Sequence, residues 1–212
     1  MAHRHSARTA SSCALTTLGL LIATTAVLGQ GAARSPVALD TARVTIAGTS
    51  NIHAYTASTT SVRLTRIEFA DSVTGSDFWD AAVKPGALQA FEIAIPAAAL
   101  SSPKDGLDKN MHKALKVKEH ADITFRLIRL EASPDVPDGL RAVGTLQIAG
   151  VEKEVAFNVT ATRKDATLAV HGQVPLLMTD FGIAPPKAML GMLKTDPNVT
   201  VTFETVLAIP LT

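Results

Sequence analysis

Ser50 and His53 stand three residues apart, and a serine with a nearby histidine is the pair from which a hydrolase builds a nucleophile and its general base. Any of several aspartates would complete the set. A triad is defined by geometry, however, and a lone Ser-x-x-His spacing has little specificity. His53 beside Tyr55 reads equally as a strand histidine making a structural hydrogen bond. His112, Glu119 and His120 offer a second chemistry, because three nitrogen and oxygen ligands suffice to hold a metal ion. Their separations from His112, seven and eight residues, match no ligand pair on one helix face. Lys109, Lys113, Lys116 and Lys118 also disfavour a cation there. The cluster reads as a solvated basic face, which would suit anionic head groups or a partner. The chain has no Gly-x-Ser-x-Gly elbow, His-Glu-x-x-His pair, phosphate loop or dinucleotide fingerprint. The residues therefore predict neither catalysis nor a metal centre. Asn158-Val-Thr160 and Asn198-Val-Thr200 match the glycosylation sequon but fall in or beside predicted strands, so they receive no role.

The elements that would position any chemistry begin after a leader. His3, Arg4, His5 and Arg8 form a basic segment, an uncharged stretch follows to Ala33, and its apolar centre runs from Ala14 to Leu28. Gly31-Ala32-Ala33 supplies small residues for cleavage before Arg34, so residues 1–33 read as a signal peptide and 34–212 as one exported domain. Cys13 opens the apolar run, whereas a lipid-acceptor cysteine would follow it. Removing the leader takes away Arg4 and Arg8 and no acidic residue, leaving 18 basic against 19 acidic side chains. That balance excludes a phosphate-driven nucleic-acid binder. Cys13 is the only cysteine, so the exported domain has no disulfide and depends on its own core.

Period-2 alternation dominates what remains. It is cleanest at Phe91–Ile95, Ile123–Leu130, Val155–Ala161, Leu168–Leu176 and Val199–Ile209. Weaker strands are predicted over 43–46, 52–59, 61–69 and 141–148. The phase shift between Leu127 and Ile128 predicts a β-bulge. Ala149-Gly150 and Lys164-Asp165 stand at hairpin distances. Closely spaced antiparallel strands of this kind mean a sandwich or a barrel. Two helices are predicted: one from Lys109 to Val117, with Asp108 as N-cap and Met111 and Leu115 on one face, and one from Lys187 to Lys194 after Pro185-Pro186.

The second helix belongs to the greasiest connection in the chain. Pro175–Leu193 holds Met178, Met189 and Met192 beside Phe181, Ile183 and several leucines, with only Asp180 and Lys187 charged. Methionine is flexible and polarizable, and suits an adaptable apolar surface. The segment is either an end-cap helix or a lid over a cavity. The inward strand faces carry Val, Ile, Leu, Phe and Ala, which fits a filled core as well as a hollow one. A barrel of about eight strands can be either. Binding a hydrocarbon chain requires no polar motif, since each buried methylene contributes about 0.8 kcal/mol.

Several runs resemble the YceI-like, polyisoprenoid-binding family. They are Leu176-Leu-Met-Thr-Asp-Phe-Gly-Ile-Ala-Pro-Pro-Lys-Ala-Met-Leu-Gly, Val199-Thr-Val-Thr-Phe, Leu146-Gln-Ile-Ala-Gly-Val-Glu-Lys-Glu-Val and Gly48-Thr-Ser-Asn-Ile-His-Ala-Tyr. Leu107-Asp-Lys-Asn-Met-His, followed by Ala121-Asp-Ile-Thr-Phe, is similar to that family's helix-then-strand block, though the family's usual Arg-Asp pair is missing. The resemblance implies an all-β, extended, antiparallel eight-stranded lipocalin-like barrel with two short helices. It also implies a periplasmic or secreted location and an elongated pocket for an isoprenoid or other long-chain lipid. Phe91, Phe125, Phe157 and Phe203 would line that pocket, and Met111, Met178, Phe181, Ile183, Met189, Met192 and Leu193 would form its mouth. No cofactor is expected beyond a bound isoprenoid lipid. The partners expected are a quinone- or polyprenol-like molecule and transient membrane contact, with the oligomeric state open and a homodimer among the options. The rival expectation is a filled exported barrel acting as a stress-response or interaction module.

Overall fold

Alternation fixes the sheet, and the sheet then fixes everything else. The computed structural model describes residues 37–188 and 192–209. The leader, and with it the expected signal peptide, lies outside the described residues. The strands are β1 (Ala38–Ser50), β2 (Ala54–Thr59), β3 (Arg63–Phe69), β4 (Leu88–Pro96), β5 (Asp122–Ala132), β6 (Leu140–Ile148), β7 (Val151–Lys164), β8 (Thr167–Leu177), β9 (Lys187–Ala188) and β10 (Leu193–Ala208). Nine of them form one antiparallel sheet in the order β2-β1-β10-β8-β7-β6-β5-β4-β3, and β9 pairs with β10 alone. The all-β class is as the sequence predicts, with nine strands along the sheet instead of eight. Nine is also the number of alternating segments in the sequence, and the one over 52–59 becomes β2 when the chain turns back at Asn51–His53 and pairs with β1, from Val44–Thr59 to Thr49–Ala54.

The two edge strands, β2 and β3, do not pair with each other. Between them a backbone bridge joins Ser58 to the segment after β4, with Ser58 N–H donating to the Ser101 carbonyl (2.8 Å) and Ser101 N–H returning the bond (3.0 Å). This bridge ties the β2 edge of the curled sheet to the connection that follows β4.

Local chemistry behaves largely as the spacing requires. Ala149 and Gly150 both have positive φ, 50° and 83°, which is the type I′ geometry that joins β6 to β7 in two residues. The register of β5 against β6 shifts between Leu127 and Arg129, so Ile128 is the bulged residue and faces solvent while Leu127 and Leu130 both face inward.

The helices differ more. The helix predicted from Lys109 begins four residues earlier, at Asp105, and ends at Ala114. Asp108 does not cap it; its carboxylate accepts the Ser102 N–H at 2.7 Å, tying the incoming loop to the first turn. The helix predicted over Lys187–Lys194 does not form. Leu193 and Lys194 pair instead with Ala188 and Lys187, and Thr195 N–H donates to the Pro186 carbonyl. Asn51 explains the outcome, because its side chain donates to the Met192 carbonyl and accepts the Lys194 N–H, both at 2.8 Å. These tertiary bonds commit the backbone groups a helix would have used, and override a weak helical pattern. A short helix that periodicity missed, α1 (Phe78–Ala82), lies between β3 and β4, so the Asp105–Ala114 helix is α2.

Candidate functional site

Buried side chains gather in two clusters, one at each end of the curled sheet. One holds Phe78, Trp79, Ile67, Leu168 and Leu207. Its helix α1 is a plug: Trp79 is 3% exposed, and its indole N–H donates to the Ala166 carbonyl at 2.9 Å. Arg163 pairs with Asp80 on the same turn. The other cluster packs Leu100, Leu115, Ile123, Ile148, Phe181 and Ile183 around the opposite end.

Between the clusters the barrel is hollow. A cavity of about 230 Å³ runs from Leu39 and Trp79 to Ile46 and Leu176, and Thr205 is the only polar residue among the described residues lining it. It meets a second cavity of about 530 Å³ at Ile46, Ile123, Ile148, Leu176 and Val201, which belong to both walls. The rim of the larger cavity includes exposed residues such as His53, Pro103, Lys104 and Asn110, so this end opens to solvent. Specific ligand pockets typically begin near 300 Å³, and the outer cavity alone exceeds that.

The four predicted lining phenylalanines all reach the inner cavity. Phe125, Phe157 and Phe203 form a chain across it, with ring centroids 5.6 Å apart at each step, and Phe91 lies nearer the plug. Room for two of these rings comes from strand glycines. A Cβ at Gly172 would lie 2.2 Å from Phe203, and one at Gly144 would lie 2.5 Å from Phe125. Met111, Met178, Phe181 and Ile183 line the outer cavity. A 3₁₀ turn over Met178–Phe181, ended by Gly182 at φ 65°, seats Phe181 and Ile183 in the wall. The first half of the greasy Pro175–Leu193 connection is therefore wall. In its second half β9 pairs with the start of β10, and Met192, expected at the mouth, is 65% exposed and lines neither cavity. Met189 lies outside the described residues, as does the side chain of Leu193, whose backbone pairs with Ala188.

The catalytic candidates do not assemble. The Ser50 hydroxyl donates to the His53 carbonyl at 2.8 Å and accepts the Ile52 and His53 N–H groups, which spends it on a turn. The His53 ring is exposed on the rim. His112 Nε2 is bonded to the Leu100 carbonyl at 2.8 Å, while His120 lies against the Gly150 turn. No three His, Cys, Asp or Glu side chains among the described residues could hold a metal. Sequon residue Asn158 is likewise engaged within its strand, accepting from Ser133.

Tyr55 is the site residue that sequence reasoning passed over. Its ring lies across Gly48, where a Cβ would come 2.3 Å from the phenol oxygen. It lines the outer cavity, and burial pushes its phenol above the ordinary pKa, with a smaller contribution from the Asp196 carboxylate. Asp196 itself is held below the usual carboxylate range by the Asn198 backbone and side-chain N–H groups.

Residues 37–207 match the family model described as the YceI-like domain. The chain belongs to the YceI-like family. Solved structures agree on the fold. BcnA of Burkholderia cenocepacia superposes with a TM-score of 0.61 at 15% identity, over 78% of this chain and 95% of that one. A polyisoprenoid binding domain from Saccharophagus degradans, implicated in plant cell wall breakdown, gives 0.57 at 13% identity, over 82% and 99%. The Campylobacter jejuni YceI protein gives 0.52 at 14%, over 71% and 82%. Comparison with curated protein sequences returned no match.

Proposed function

We propose that this YceI-like chain is a non-enzymatic, exported carrier that sequesters a long isoprenoid lipid, quinone- or polyprenol-like, inside the barrel. The observation that carries the reading is the hollow, almost wholly apolar lumen plugged at one end by Trp79 and open at the other. From Leu39 to Gly48 that wall spans about 30 Å of strand, at roughly 3.3 Å per residue, which suits a long chain better than a compact ligand. The described polyisoprenoid binding domain shares the fold and supports the same class of ligand. A filled barrel serving as an interaction module fits the lumen poorly. A hydrolase fits poorly too, with Ser50 committed to a turn. Exchange with a bilayer would occur at the open end, where Ile52 and Met192 present exposed apolar side chains on adjoining loops.

Protein isolated from its native compartment should yield an extractable isoprenoid lipid in near-stoichiometric amount by mass spectrometry. Empty protein with no saturable uptake of a quinone or polyprenol would overturn the assignment.

A further inference from the structure

Among the described residues, one buried side-chain polar atom has no hydrogen-bond partner: the phenol oxygen of Tyr55. Buried polar groups in folded proteins are almost always paired, and an orphan calls for an explanation. The position of this one is informative. Gly48 faces Tyr55 directly across the β1–β2 ladder, and its missing side chain lets the ring lie flat against the wall inside the barrel. The hydroxyl is thereby held beside the outer cavity, on the same wall as Ile46. The hydroxyls that share this cavity do not serve it: Ser50 donates to the His53 carbonyl, Ser102 donates to the Lys104 carbonyl, and no group among the described residues bonds the phenol oxygen.

The charge near the phenol narrows what can satisfy it. Asp196 acts on Tyr55 as a negative charge, and its own bonds to Asn198 keep it ionised. An anionic head beside the phenol would face that carboxylate. A neutral oxygen would not, and a neutral phenol donates to it well.

We propose that the Tyr55 hydroxyl donates a hydrogen bond to an uncharged oxygen at the head of the bound chain, an alcohol or a quinone carbonyl. It thereby fixes the lipid with its head at the open end and its tail towards Trp79. This rests on the carrier reading above and adds the class of head group to it.

The test compares a polyprenol, its hydrocarbon analogue lacking the hydroxyl, and the corresponding polyprenyl phosphate on delipidated protein. The wild type should prefer the alcohol to the hydrocarbon by roughly tenfold, the scale of one neutral hydrogen bond. Tyr55→Phe should bind both with the wild-type hydrocarbon affinity. The phosphate should gain nothing over the alcohol. A preference that survives in Tyr55→Phe overturns the proposal, as does tighter binding of the phosphate, which would point to Lys104 on the same rim. Hydrocarbon binding with no preference for the alcohol defeats this inference alone. Failure of the wild type to bind any of the three defeats the carrier reading with it. Thermal unfolding followed by Trp79 fluorescence guards the comparison, because Tyr55→Phe removes only an unpartnered hydroxyl and should melt no lower than the wild type. The wild-type comparison of alcohol with hydrocarbon stands without the variant.

Discussion

Phe203 reaches into the lumen because the residue paired with it on β8, Gly172, has no side chain to meet its ring. Gly172→Ala places a methyl where the ring now sits, and Phe203 must then move into the cavity or the strands must part. Overpacking of this kind costs about 1–3 kcal/mol. The variant should melt lower and take up a long-chain ligand more weakly, as calorimetry and a binding titration would show. A variant with unchanged uptake would mean that Phe203 does not narrow the path. The inward-facing phenylalanines were legible because alternation assigns each strand residue to a face. Gly172 is in phase with Leu168, Val170, Val174 and Leu176, so alternation places it on their face. Tyr55 was not legible as a site residue. Its neighbour His53 drew attention as a candidate base, whereas the orphaned phenol depends on the pairing of Gly48 with Tyr55 and on Asp196, 141 residues away.

At the level of elements, the open end is organised by one side chain. Asn51, in the turn between β1 and β2, bonds the Met192 carbonyl and the Lys194 N–H, and its own N–H donates to the Lys194 carbonyl. The two loops that carry Ile52 and Met192 are thus fastened together beside the mouth. Asn51→Ala removes the side-chain bonds but leaves the backbone bond. Each lost bond is worth about 0.5–1.5 kcal/mol, and both are exposed to solvent, so global stability should fall only slightly. The local effect should be larger: the Lys194 amide should exchange with solvent markedly faster in Asn51→Ala than in the wild type. Equal exchange would show that the backbone ladder alone holds the hairpin. This staple also explains why the sequence misled. Three large apolar residues at helical spacing after two prolines predict a helix, yet the backbone groups there are bonded across the loop to a residue far away in the chain. Elements whose bonds close locally fared better, including the Ala149-Gly150 turn, the Ile128 bulge and the core of α2.

At the scale of the whole sheet, the two ends are unlike, one plugged and one open, and that polarity is beyond the reach of pattern reading. Inward Val, Ile, Leu and Phe are the same residues whether they meet across an axis or stand around a void. Volume decides, and volume depends on the number and curl of the strands. The plug was missed for a related reason: α1 has five residues, too few to show a period, and Trp79 acts through where β3 and β4 place it. Its placement makes the polarity measurable, because Trp79 is the only tryptophan in the chain and lies on the wall of the inner cavity. A long isoprenoid bound head-outward would bring the far end of its tail to the indole, while its head stayed near Tyr55. A heavy-atom quencher attached at the tail terminus should therefore quench Trp79 fluorescence strongly. The same quencher next to the head should leave it nearly unchanged, and a chain too short to reach the plug should do the same wherever the quencher sits. Reversed quenching would mean that the lipid enters tail-last, with its polar end buried against a wall that offers it only Thr205. Such burial leaves a polar group short of partners, a cost the apolar wall does nothing to offset.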